Sequence, residues 1–157
     1  MPVEKIIIGA DHAGFSLKET IKTFLVNSGR EVTDEGTFSL ESVDYPDFGI
    51  TVAKKVSSGE FLRGILICAS GVGMTIVANK FPHVRAALCL DEEGARLSRL
   101  HNDANILALA GRRTEPETAK AIVDMWLKTA FEGGRHQARL DKIKKLEINL
   151  YRASAIK

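Results

Sequence analysis

Apolar residues are arranged in two ways along this chain, and the switches between them mark its elements. Short solid apolar runs such as EKIIIG at residues 4–9 and GILIC at 64–68 read as strands covered on both faces of a parallel sheet. Between such runs the apolar positions fall on one helical face. After Gly14 they recur at Phe15, Leu17, Ile21, Phe24 and Leu25, with Lys18, Glu19 and Lys22 opposite, until Asn27-Ser28-Gly29 stops the helix. The same reading predicts strands over 31–33, 84–88 and 104–108 and helices over 48–57, 73–79, 92–100 and 115–130. The last is the clearest, with Ala119, Ile122, Val123, Trp126 and Leu127 at i, i+3, i+4, i+7 and i+8.

Strand and helix alternate five times, which implies an α/β domain: a doubly wound, five-stranded parallel sheet with helices on both faces. One domain spanning residues 1–157 is expected. Residues 135–150 predict a further basic helix with Leu140, Ile143, Leu146 and Leu150 as its apolar stripe. No strand remains for it to cross over to, so it is expected to lie on a partner subunit. Residues 152–157 are expected to fray.

Composition narrows the function classes. The chain has 157 residues, 45% hydrophobic and 27% charged, with a formal net charge of +2. That charge is too small to argue for nucleic acid or a membrane surface. No apolar run approaches the roughly 18 residues of a spanning helix, and the opening MPVEKIIIGADH is too short in apolar length for a secretory signal. The two cysteines, Cys68 and Cys89, form no disulfide framework and read as reduced thiols of a cytoplasmic protein.

Open α/β sheets bind ligands at the carboxyl ends of their strands. Residues flanking the strands are Asp11 and His12, then Cys68 to Gly73, then His101-Asn102-Asp103, then Arg112 and Arg113. GADHAG lacks the Lys-Ser/Thr of a P-loop, and SGVGMTI has Ile76 where a dinucleotide fingerprint needs glycine. Asp34, placed to grip a ribose, is a weak sign by itself. Cys68 occupies the position where a response regulator carries aspartate. The cysteines and histidines show no usual metal spacing.

Gly71 and Gly73 permit backbone N–H groups to converge at a helix start, where an anion or a developing oxyanion is favoured. The same field lowers a nearby thiol's pKa. Cys68 therefore has two readings, a buried small hydrophobe or a base, and its position alone leaves both open. Cys89, with no glycine turn after it, reads as structural. Arg135 and Arg139 share a helical face, suited either to clamping phosphate or to a solvated basic surface. His136 between them reads as a surface or packing residue.

GADHAGFSLKE, SVDYPDF, ILICASGVGMTIVANK, SRLHNDANILAL and EGGRHQARL resemble, in order and spacing, the ribose-5-phosphate isomerase B family, over about residues 5–147. The resemblance implies a Rossmann-like fold, a homodimer or a dimer of dimers with sites at the subunit interface, and aldose–ketose isomerisation without metal or cofactor. By position, Cys68 matches the base that moves a proton between C2 and C1 through a cis-enediolate. Ser70 and the loop of Ala69, Gly71, Val72 and Gly73 match the enediolate-stabilising turn, and His101 matches the ring-opening residue. Asn102 and Asp11 match sugar contacts, and Tyr45 lies near the sugar. His12, Arg112, Arg135 and Arg139 match the phosphate pocket. Ala69 and Ala110 replace usual glycines, a change expected to reshape the pocket. Isomerases of allose 6-phosphate or galactose 6-phosphate, and a non-catalytic phosphosugar- or nucleotide-binding module, are the alternative readings.

Overall fold

A computed structural model describes residues 3–155. The elements in order are β1 (Lys5–Ala10), α1 (Phe15–Asn27), β2 (Glu31–Asp34), α2 (Tyr45–Ser57), β3 (Arg63–Cys68), α3 (Val72–Ala78), β4 (Ala86–Leu88), α4 (Glu92–Asn102), β5 (Ile106–Ala110), α5 (Pro116–Lys128) and α6 (Arg135–Ala155). The five strands are all parallel, in the order β2-β1-β3-β5-β4.

Successive side chains of a strand point to opposite faces, so each solid apolar run feeds two cores. Ile6, Ile8, Ile65, Ile67, Leu107 and Leu109 meet α1, α4 and α5 on one face. Ile7, Leu66, Cys68 and Ile106 meet α2 and α3 on the other. Trp126, fully buried, is the largest core side chain. No helix among the described residues is long and apolar enough to cross a membrane.

The predicted order holds, with shifts at the boundaries. α2 begins at Tyr45, three residues before the predicted start, because Pro46 suits the first turn of a helix, where no N–H is needed. β5 starts at Ile106 rather than 104, since Ala104 N–H still bonds back to Ser98 of α4 and the Asn105 side chain bridges to Arg85 and His83. Residues 152–155, expected to fray, continue α6. The helix is held there by Tyr151, whose hydroxyl donates to the Lys80 carbonyl at 3.0 Å, and by Glu147, which accepts from His83 N–H at 3.2 Å. Residues 156 and 157 lie outside the described residues.

Ala69 and Ala110 sit without backbone strain. Among the described residues the only non-glycine positions with positive φ are His83 and Asp103, so neither alanine occupies a conformation that demands glycine. Ala110 lies within β5, paired with Cys68.

Candidate active site

The sheet reverses its winding between β1 and β3, the point where such sheets open a crevice at their carboxyl edge. Asp11 follows β1 directly and Cys68 ends β3. Cys68 is only 4% exposed and lies in the α2/α3 core face. Gly111 N–H donates to its carbonyl at 2.7 Å and Arg112 N–H donates to that of Ala69 at 3.1 Å, so the loop after β5 is sewn to the cysteine loop. Asp11 is buried, and its Oδ1 accepts from Gly14 N–H at 2.9 Å. The Nδ1 of His12 lies 3.2 Å from both the N–H and the carbonyl of Val43, which holds the 37–44 loop beside it.

Gly71 opens α3 in the left-handed region at φ 75°, and a Cβ there would lie 2.5 Å from Leu88. Only glycine makes this turn without strain. The first intrahelical bond of α3 runs from Thr75 N–H to Gly71, which leaves the preceding N–H groups free of helical partners. That of Val72 donates to Ser70 Oγ at 3.3 Å. Tyr45, at the start of α2, lays its ring over Gly73 so closely that a Cβ would stand 2.5 Å from Cζ. Cys68, Ser70, the glycine turn, Asp11, His12, Tyr45 and Arg112 thus belong to one edge.

His101 and Asn102 do not. They form the last turn of α4, which runs antiparallel to the strands and ends at their amino edge, where residues 103–105 lead into β5. Cys68 faces Ala110 at the far end of β5. The length of β5, about 16 Å at ~3.3 Å per residue, separates the two within one chain. Grouping His101 and Asn102 with the strand-end residues therefore does not bring them to Cys68 within one chain, because a residue before a parallel strand lies at the edge opposite one after it.

His101 instead stacks on His136, with ring centroids 4.3 Å apart and 17° between planes. His136 is the single buried residue of α6, so the surface reading of it is also corrected, in favour of packing. Arg139 Nη1 lies 3.4 Å from its Nδ1. Its Nε2 is 3.1 Å from Glu132 but too poorly angled to count as a hydrogen bond, so it is left without a partner. Burial, and after it the neighbouring His101 and arginine charges, hold the His136 imidazole below its ordinary pKa. Arg135 and Arg139 are exposed on the same helix start. At Cys89, burial raises the thiol pKa, as expected of an inert structural cysteine.

Residues 6–143 match the Ribose/Galactose Isomerase family. The chain belongs to that family. It is 50% identical over 145 residues to ribose-5-phosphate isomerase B of Escherichia coli, covering 92% of this chain and 97% of that one. Among solved structures it is similar to ribose-5-phosphate isomerase B of Clostridium thermocellum, at 54% identity and TM-score 0.91, covering 93% and 99% of the two chains. It is also similar to the Mycoplasma genitalium enzyme solved with bound ribulose 5-phosphate, at 43% identity and TM-score 0.88, covering 91% and 95%. The five-stranded parallel sheet is thus the fold of this isomerase family.

Within the family frame, His101, Glu132 and His136 are the one trio of metal-ligating side chains brought together among the described residues, within 4.8 Å. Near-parallel stacked imidazoles direct their lone pairs side by side rather than to one point, and Arg139 adds positive charge. His101 and His136 pack here as stacked imidazoles beside the Arg139 guanidinium. The sequence left His136 open between a surface and a packing residue, because nothing in GGRH tells burial from exposure. Its position between two arginines one helical turn apart was the available signal.

Proposed function

We propose that this chain is an aldose–ketose isomerase interconverting D-ribose 5-phosphate and D-ribulose 5-phosphate, acting as a two-fold dimer with shared sites. What carries the reading is Cys68, seated at the end of β3 beneath the Gly71 turn in a chain half identical to the E. coli enzyme. Cys68 takes the proton from C2 of the open aldose and returns it to C1. Ser70 and the N–H groups of Gly71, Val72 and Gly73 hold the enediolate oxygen, the larger contribution to the rate. The base adds a further ~10²–10⁴-fold.

His101 opens the furanose ring and Asn102 contacts the sugar. Asp11 binds a hydroxyl, and Tyr45 closes the pocket over Gly73. His12, Arg112, Arg135 and Arg139 hold the phosphate, whose binding energy aligns C1 and C2 with the sulfur. Because Cys68 and His101 lie at opposite edges of one sheet, the complete site needs the loop edge of one copy against the α4/α6 edge of another. A two-fold axis satisfies both sites at once. Exposed apolar side chains on both parts support this pairing: Val72 and Ile76 on α3, and Ile143, Leu146 and Leu150 on α6.

The test is incubation of the purified protein with ribose 5-phosphate, allose 6-phosphate and other aldose phosphates, with detection of ketose. Ribulose 5-phosphate forming fastest is the expected result. Faster turnover of a hexose phosphate, or none of any, overturns it.

A further inference from the structure

The end of α4 is held by a charged network that none of these roles uses. Asp103 closes the helix in the left-handed region, at φ 46° and ψ 45°. Few side chains other than those of asparagine and aspartate tolerate that conformation. Its Oδ1 accepts a 2.8 Å hydrogen bond from Arg99 Nη1, and its Oδ2 one of 3.3 Å from Arg85 Nη2. Arg99 is 6% exposed and lies over the Trp126 ring. Its remaining partners are neutral, the carbonyls of Ala104 at 2.7 Å and Thr129 at 3.3 Å. Arg85 reaches the same helix end through Nε, which donates to the carbonyls of Asn102 at 3.0 Å and Asp103 at 3.1 Å. One carboxylate therefore ties a buried arginine of α4 to a half-buried arginine preceding β4. The two residues before it in the chain are His101 and Asn102.

We propose that Asp103, through Arg99 and Arg85, is a positioning residue that fixes the end of α4 so that His101 and Asn102 meet the sugar in the ring-opening geometry. The inference rests on the ring-opening reading of His101. Asp103 supplies two things no neighbour replaces. Its backbone turns the chain out of α4 immediately after the functional pair, and its carboxylate is the only anionic partner of Arg99 among the described residues. A buried guanidinium left with neutral acceptors alone is costly, so loss of that charge lets the helix end re-orient. Proton transfer is sensitive to such movement, since a displacement of about 1 Å can cost on the order of 10²-fold.

Asp103→Asn keeps the side-chain shape and the tolerance for left-handed backbone while removing the charge. Initial rates are measured from ribose 5-phosphate, which is cyclic, and from ribulose 5-phosphate, whose blocked 5-oxygen prevents furanose closure. Turnover from ribose 5-phosphate is expected to fall roughly tenfold, and turnover from ribulose 5-phosphate by less than about twofold. In a His101→Asn background the second substitution is expected to add nothing, because the two act through one group. If Asp103→Asn does not fold, Arg85→Gln leaves the Arg99 contact in place and is expected to show the same asymmetry at smaller amplitude. Full additivity with His101→Asn overturns the positioning role. So do equal losses in both directions beside an asymmetric loss from His101→Asn. Symmetric but non-additive losses from both variants overturn the ring-opening reading and leave the positioning role standing.

Discussion

Cys68 and Cys89 are both buried at strand ends, and their surroundings separate them. Cys68 is followed by a left-handed glycine and by first-turn N–H groups that have no partner within the helix. Cys89 lies among apolar side chains, 3.9 Å from Ser98 Oγ, with its thiol pKa raised by burial. Cys68→Ala is expected to abolish isomerisation with the fold intact, because no other group in that loop can accept a carbon-bound proton. Cys89→Ala is expected to keep full turnover and to lower thermal stability through the small cavity it leaves. Steady-state rates and melting curves of the two variants check both statements.

His136 makes a pH statement. The groups facing it are His101, Arg135 and Arg139, which oppose its protonation, and Glu132, which favours it. Its pKa in the fold lies below the ordinary imidazole value of about 6.5, so the unfolded chain binds the proton first. Stability should therefore fall as pH drops through about 6.5, with the loss complete below the folded pKa. His136→Asn is expected to shrink the drop in melting temperature between about pH 7.5 and about pH 5.5. An unchanged drop would show that His136 is not protonated differently in the two states.

At the scale of elements, α6 is the exception to the sheet's economy. Only His136 is buried on it, while Ile143, Leu146 and Leu150 are 45%, 56% and 58% exposed along one stripe. They border an apolar groove against Val84, Ala86, Ala87 and Ala104. Leu146→Asp with Leu150→Asp is expected to shift the protein to monomer in sedimentation velocity. Activity should fall with it, since each copy would lose the His101 of its neighbour. A dimeric, fully active double variant would place the interface elsewhere.

The whole molecule carries the sharpest test, because the division between edges decides which pairs of defects complement. Mixing Cys68→Ala with His101→Asn, or with Arg139→Ala, and allowing subunits to exchange yields mixed dimers with one intact site. Random exchange makes about half of the dimers mixed, so activity should return to roughly a quarter of wild type. Mixing Cys68→Ala with Arg112→Ala should restore activity only if these two residues serve different sites. Since Ala69 and Arg112 are joined by a backbone hydrogen bond within one chain, no recovery is expected. Recovery in the Arg112 mixture, or none in the others with exchange verified by mass labelling, would reverse the assignment of edges.

The order of the elements, the parallel sheet and the cysteine loop were legible in the chain alone. Solid apolar runs of about four to six residues, β-branched and closed by glycine or a polar turn, favour strands covered on both faces, and a glycine turn after Cys68 allows few local geometries. The HND and GGRH motifs pointed to chemistry only through their resemblance to a family. Only the tertiary structure decided where that chemistry stands. An antiparallel crossover helix returns the chain to the amino edge, so His101 is carried away from Cys68 however close the motifs look in a linear reading. Burial of His136 and the Asp103 tie between two arginines were equally hidden. Each depends on which helix ends meet in space, and local periodicity does not encode that.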